Sequence, residues 1–288
     1  MAVEISKKEK MFIELYKHGH TDIDIRSIYE DIDEYPYRKS NIIFQKFPNL
    51  QLRDGWWTRC LEYKNINAFL SFLSNPQDTE YYRDIDISFL DGMIEMIKSF
   101  IDVASRSSGN LYTNHRVENK NNLSDYDGVN STFKSTSRKS YDSGETKFFE
   151  TPDSIVIYFD EGGFCPFIDV DRLIASEMGD EGEILLPPFL QTSLTQTDEG
   201  EYYTQFSYTP YDYDPAQMGE LYDSLFDLGK PEFVEEFKKF NSTGEISENL
   251  LTYMGMLRYS LQTYANKRYS EAYDRVSQNR NEQSFQKP

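Results

Sequence analysis

Cysteine and histidine are scarce in this chain, with two Cys and three His in 288 residues. Cys60 and Cys165 are too few for a disulfide framework and lack metal-ligand spacing, so no metal site is expected. The sequence predicts two buried free thiols, with a single bridge as the alternative. Long apolar runs are missing too: none approaches the ~20 residues that cross a bilayer. The N-terminus, Met1 to Lys10, carries basic side chains but no apolar signal core behind them. The expectation is a chain that is soluble and cytoplasmic where it is made, with delivery into a host by a route without a cleaved signal left open. Positive charge is the third shortage. Against 49 acidic residues stand 30 Lys and Arg, a formal net charge of −19. Such a field repels polyanions, so nucleic acid and anionic membrane are not expected partners, while a basic protein surface is.

Aromatic residues, by contrast, are plentiful. The 22 Tyr and 20 Phe argue for a folded protein with a substantial core. Along the chain the texture changes twice. Residues 1–105 read as a helical region. Within it Leu90, Met93, Ile94, Ile97, Ile101 and Ala104 repeat at helical spacing, and Trp56 and Trp57 read as packing anchors. Residues 106–215 read as a β-rich centre, with strands expected at 111–117, 132–137, 154–159, 184–186 and 202–208. The apolar run 154–159 is expected to be buried on both faces. Polar connectors fall at 119–131 and 138–147. Residues 216–277 return to helix, carried by Leu221, Leu225 and Leu228, then Phe233, Phe237 and Phe240, then Leu250, Met254, Leu257 and Leu261. Residues 278–288 read as a polar, frayed tail. Strands without regular intervening helices predict an α+β fold with a mixed or antiparallel sheet flanked by helical regions.

Three short segments of the centre carry candidate chemistry. Glu181 and Glu183 stand two positions apart, ahead of an aliphatic run that Pro187 and Pro188 end. In extended backbone they would project to one face, with Ile184 and Leu186 on the other. A preorganised carboxylate pair suits chemistry on a developing positive charge, although acidic pairs are common in so acidic a chain. Arg116 lies near the end of the first strand, where a guanidinium can clamp a phosphate or make a structural ion pair. His115 beside it has no second His or triad spacing and reads as structural. In Ser135-Thr136-Ser137, the two serines share a face and Thr136 takes the opposite one. Hydroxyls in a strand either cross-link neighbouring strands or orient a functional group.

The order of these pieces is specific. Ser135 follows Arg116 by 19 residues, and Glu183 follows Ser135 by 48. This resembles the Arg–Ser-x-Ser–Glu-x-Glu class of mono-ADP-ribosyltransferases, which includes arginine-modifying bacterial toxins and vertebrate ecto-enzymes. The run Glu181-Gly182-Glu183-Ile184-Leu185-Leu186-Pro187-Pro188-Phe189 and the segment Phe133 to Ser137 carry the resemblance, over about residues 110–210. Val117 stands where the family often has Gly.

The resemblance implies an NAD-binding core with NAD as co-substrate and no metal. Arg116 would hold the NAD diphosphate. Ser135 would brace the nicotinamide ribose and the catalytic Glu183, with Thr136 and Ser137 completing the strand. Glu183 would stabilise the oxocarbenium formed as nicotinamide leaves, and Glu181 would orient and deprotonate the arginine of a target protein. Residues 138–147 would be a mobile loop over the phosphates, and 169–180 the turn that recognises the substrate. The implied activity is transfer of ADP-ribose from NAD to a protein arginine, in a bacterial or phage toxin or effector. The alternatives are an NAD glycohydrolase working from the same site and a catalytically inactive acidic binding protein.

Overall fold

β-branched and aromatic residues gather between positions 114 and 207, and there the described residues build an eight-stranded sheet. The structure, a computed structural model, describes residues 3–19, 21–23, 28, 60–76, 82–107, 114–139, 152–159, 164–174, 182–210 and 230–285. Several expectations lie outside the described residues: Glu181, Trp56 and Trp57, the strand positions 111–113, the loop positions 140–147, the turn positions 175–180, and Leu221, Leu225 and Leu228.

The strands are β1 (Asn114–Asn119), β2 (Gly128–Val129), β3 (Lys134–Ser137), β4 (Ser154–Phe159), β5 (Ile168–Asp169), β6 (Glu183–Leu186), β7 (Gln191–Gln196) and β8 (Tyr202–Ser207). Their order in the sheet is β2-β7-β8-β4-β1-β3-β6-β5. The β4–β8 pair is parallel and the other pairs are antiparallel. A 3-10 helix, Lys120–Tyr126, follows β1 directly, inside the segment expected to be a polar connector. With helices before and after this mixed sheet, the fold is α+β.

The described residues form two compact units. The first holds Met1–Glu4, Phe100–Ala216 and Gln262–Pro288; the second holds Ile5–Ser99 and Gln217–Leu261. In the second unit, α1 (Lys7–His18) opens on a capping box. The Ser6 hydroxyl accepts from the Glu9 amide at 3.2 Å, and the Glu9 carboxylate accepts from the Ser6 amide at 2.7 Å. Gly19, at φ +72°, closes the helix in the left-handed conformation that glycine reaches without cost. Phe72 of α2 (Tyr63–Ser74) packs on Phe237 and Phe240 of the helix α5, which covers 230–243, at ring separations of 5.5 and 5.2 Å. Leu90, Met93 and Ile97 of α3 (Leu90–Ser107) are buried, as their spacing predicts.

In the first unit, Phe100 of α3 meets Phe133 edge-on at 5.3 Å, just ahead of β3. α4 (Val170–Leu173) is a single turn after β5. The last helix, α6 (Glu248–Phe285), contributes Tyr269 to this unit, fully buried with its hydroxyl on the Pro188 carbonyl at 2.9 Å. α6 continues to Phe285, through residues the sequence assigns to a frayed tail. Cys60 and Cys165 are buried free thiols. No helix among the described residues is long and apolar enough to cross a membrane.

The β4 run differs from the expectation of burial on both faces. Ile157 and Phe159 are buried, whereas Ser154, Ile155, Val156 and Tyr158 are partly open. β-branched residues suit extended backbone whichever face they take, so an apolar run does not fix two-sided burial.

Candidate active site

β3 alternates as its sequence predicts: Lys134 and Thr136 are buried, Ser135 and Ser137 are half-open. The Thr136 hydroxyl donates to the Ile184 carbonyl of β6 at 3.2 Å, which ties the two strands on the buried side. Ser137 stands opposite Glu183, and Ser135 opposite Leu185. Ser135 and Glu183 thus share a face, diagonally placed, and the Ser135 hydroxyl donates to Glu183 Oε1 at 2.7 Å. A hydroxyl bonded to a carboxylate at this length is a charge-assisted hydrogen bond, and it fixes one carboxylate oxygen of Glu183.

Glu183 is also held from behind. Its amide donates to Asp171 Oδ2 of α4 at 2.8 Å. Asp169, two residues earlier, takes a bidentate pair from Arg138 at 2.8 and 3.1 Å, and Arg172 adds a third contact at 3.1 Å. The turn carrying Asp169 and Asp171 is in this way tied both to the end of β3 and to the start of β6. Downstream, the Leu-Leu-Pro-Pro-Phe run stops β6 at Leu186. Buried Asn130 then holds the turn, its amide nitrogen on the Pro187 carbonyl at 2.9 Å and its oxygen accepting from the Leu190 amide at 2.7 Å.

Gly182 alters the geometry expected of the acidic pair. Its φ is +63°, left-handed and not extended. The i, i+2 rule assumes extended backbone at the intervening residue, which Gly182 does not have, and β6 begins at Glu183. Glu181 lies outside the described residues. Space at this position is tight as well. A Cβ at 182 would stand 3.3 Å from the Lys139 main-chain nitrogen and 3.2 Å from the Lys139 Cγ. The Gly182 carbonyl accepts from the Arg138 amide at 2.9 Å, extending the β3–β6 ladder by one bond.

Arg116 is the third piece. Alternation along β1 sets Asn114, Arg116 and Glu118 on one side and His115 and Val117 on the other. His115 pairs with Ser137, so it takes the side of Ser137 and Glu183. It is buried, and burial lowers its pKa from 6.5, which keeps the imidazole neutral near pH 7. Among the described residues β1 and β3 pair only at His115↔Ser137 and diverge towards Arg116. The guanidinium reaches across where they part, with Nη1 donating to the Ser135 carbonyl at 2.7 Å. The structure therefore connects Arg116 to Ser135 through the backbone and Ser135 to Glu183 through the hydroxyl.

Two participants were not singled out from sequence. Asp171 belongs to a turn whose contact with Glu183 spans 12 residues, and nothing local signals it. Glu118 was open to the same i, i+2 argument applied to the acidic pair, since Arg116 and Glu118 share a face. Its Oε2 accepts from Arg116 Nε at 2.9 Å. Burial by itself would raise the Glu118 carboxyl, but the adjacent guanidinium and the hydrogen bonds outweigh it and bring the pKa from 4.5 to about 2.

The sequence matches no protein-family model and no curated protein. Among solved structures, the chain is similar to the ADP-ribosyltransferase Vis in complex with agmatine, at 15% identity over 71% of this chain and 86% of that one, with a TM-score of 0.30. It is similar to the Vis toxin from Vibrio splendidus, at 15% identity over 68% of this chain and 89% of that one, with a TM-score of 0.29. It is also similar to Plx2a, an ADP-ribosyltransferase toxin from Paenibacillus larvae, at 14% identity over 61% of this chain and 95% of that one, with a TM-score of 0.27.

Proposed function

We propose that this chain is a mono-ADP-ribosyltransferase that moves ADP-ribose from NAD to an arginine of a target protein, acting as a toxin or effector. The observation that carries the reading is the 2.7 Å bond from Ser135 to Glu183. It joins two of the three motif segments, 48 residues apart, and Arg116 meets the same serine at its carbonyl. Composition gives no reason for these three types to converge.

In the proposed reaction the C1′–N bond of NAD breaks and its electron pair leaves with nicotinamide. Positive charge develops on the ribose, and Glu183 stabilises it. Ser135 holds one Glu183 oxygen, so the carboxylate need not reorganise as charge appears; one such preorganised contact is worth ~10²–10³ in rate. A guanidinium nitrogen of the target arginine then bonds to C1′ and gives up a proton to Glu181. Arg116 is assigned to the NAD diphosphate, and Thr136 and Ser137 to holding β3 against β6. Water in place of arginine would give NAD hydrolysis.

The test is nicotinamide release from NAD, with and without a guanidino acceptor. Glu183→Gln should abolish release under both conditions. Glu181→Gln should abolish transfer to arginine while hydrolysis stays measurable. A wild-type chain that frees no nicotinamide is not this enzyme, and a Glu181→Gln variant that still modifies arginine rules out the acceptor role.

A further inference from the structure

Glu118 is engaged at every acceptor position it has. Oε2 takes Arg116 Nε at 2.9 Å and the Tyr126 hydroxyl at 2.8 Å. Oε1 takes the Asn119 amide at 3.0 Å and Asn122 Nδ2 at 2.9 Å. These four donors use the carboxylate's four lone-pair sites. Its side chain is only 10% exposed. Two of the four come from the 3-10 helix Lys120–Tyr126 and one from the main chain of Asn119, the last residue of β1. Tyr126 is itself fully buried and packs edge-on against Phe159 at 6.2 Å and Phe206 at 6.4 Å. Lys134 of β3 sits 4.9 Å above its ring.

An arginine side chain has ~2 kcal/mol of rotamer freedom to lose before it holds a ligand in one orientation. A planar group gripped at two of its nitrogens has its plane fixed. Arg116 is gripped at Nε by Glu118 and at Nη1 by the Ser135 carbonyl. We propose that Glu118 is a positioning residue, anchored on Tyr126 and Asn122, that sets the Arg116 guanidinium against β3 and so fixes the Ser135 peptide whose hydroxyl holds Glu183. The assignment rests on the reading of Ser135 and Glu183 as part of an NAD site. It makes the 3-10 helix after β1 a part of the catalytic framework.

The experiment measures kcat and KM for nicotinamide release with the full-length chain carrying Glu118→Gln, Arg116→Met or both. A displacement of about 1 Å at a positioned group costs ~10²-fold in rate. Glu118→Gln keeps the shape and loses the charge, so kcat/KM should fall ~10- to 100-fold. In the Arg116→Met background the same change should cost almost nothing further, because Glu118 acts through Arg116. Tyr126→Phe, which removes one anchor and keeps the ring, should give a smaller loss of the same kind, and it supplies the test should Glu118→Gln fail to fold. Losses that multiply in the double variant would overturn the proposal, as would a Glu118→Gln or Tyr126→Phe enzyme with wild-type kinetics. An inactive wild-type chain would instead remove the underlying NAD reading.

Discussion

Replacing Gly182 by alanine tests the geometry between the two glutamates. At φ +63° an L-residue costs ~1–2 kcal/mol that glycine does not. The stiffer unfolded chain returns ~0.4–1 kcal/mol of that. The added Cβ then meets the Lys139 main-chain nitrogen at 3.3 Å, the Lys139 Cγ at 3.2 Å and the Arg138 Cβ at 3.4 Å. The Cγ can swing aside, but the backbone nitrogen can yield only if the end of β3 moves with it. The net cost should be ~1–2 kcal/mol of unfolding free energy, or a Tm lower by roughly 2–4 °C for each kcal/mol. Activity should suffer more than stability. The Gly182 carbonyl bonds to Arg138, and the next residue is Glu183, so a shift of the turn passes straight to the carboxylate. Nicotinamide release should fall ~10- to 100-fold in kcat. Gly182→Asn separates the two causes, since Asn tolerates the left-handed region but brings the same Cβ. If backbone conformation dominates, Asn recovers most of the lost stability; if the close approach dominates, it behaves like Ala. An alanine variant with wild-type stability and turnover would refute the left-handed turn as the device that places Glu183.

Ser135→Ala removes a hydrogen bond to a carboxylate, a contact worth ~1.5–3 kcal/mol, and should lower kcat ~10- to 100-fold and Tm by roughly 2–4 °C for each kcal/mol lost. Glu118 should shape acid stability. Its folded pKa of about 2 lies below its ordinary 4.5, so its contribution is complete above pH 4.5 and is lost as pH falls through 2. The difference corresponds to ~3 kcal/mol. Urea unfolding of wild type and Glu118→Gln should therefore differ most near neutral pH and converge below about pH 2. In the second unit, Phe237→Ala leaves a void beside Phe72 and Phe240 and should cost ~3–5 kcal/mol, measurable as a lower thermal midpoint.

Local pattern carried some of this structure plainly. The apolar run 154–159 gave β4 at both ends, and the helical stripe from Leu90 gave α3. Polar strands were not visible. β7 reads Gln191-Thr192-Ser193-Leu194-Thr195-Gln196, with one buried position, and it is a strand because β8 pairs with it along its whole length. β2 and β5 have two residues each, too few for any periodicity. In the site, Ser135 and Glu183 were legible as motif residues, but their hydrogen bond depends on the β3–β6 register, which no local signal specifies. The two-residue spacing of the acidic pair takes Gly182 as extended, whereas its φ is +63°. The same spacing at Arg116 and Glu118 holds, because β1 is an uninterrupted strand there.

The divergence of β1 from β3 gives the sheet a seam. On one side β1 is laced to β4 over six register pairs; on the other it meets β3 at one among the described residues. Past that rung the Arg116 side chain reaches across to the Ser135 carbonyl. Amide protons along the two lips should accordingly exchange with solvent faster than those between β1 and β4. The proposed dinucleotide would draw on Arg116 from one lip and on Ser135 and Glu183 from the other. Bound NAD would then act as a rivet, slowing exchange on both sides at once and raising the cooperativity with which the two halves of the sheet melt.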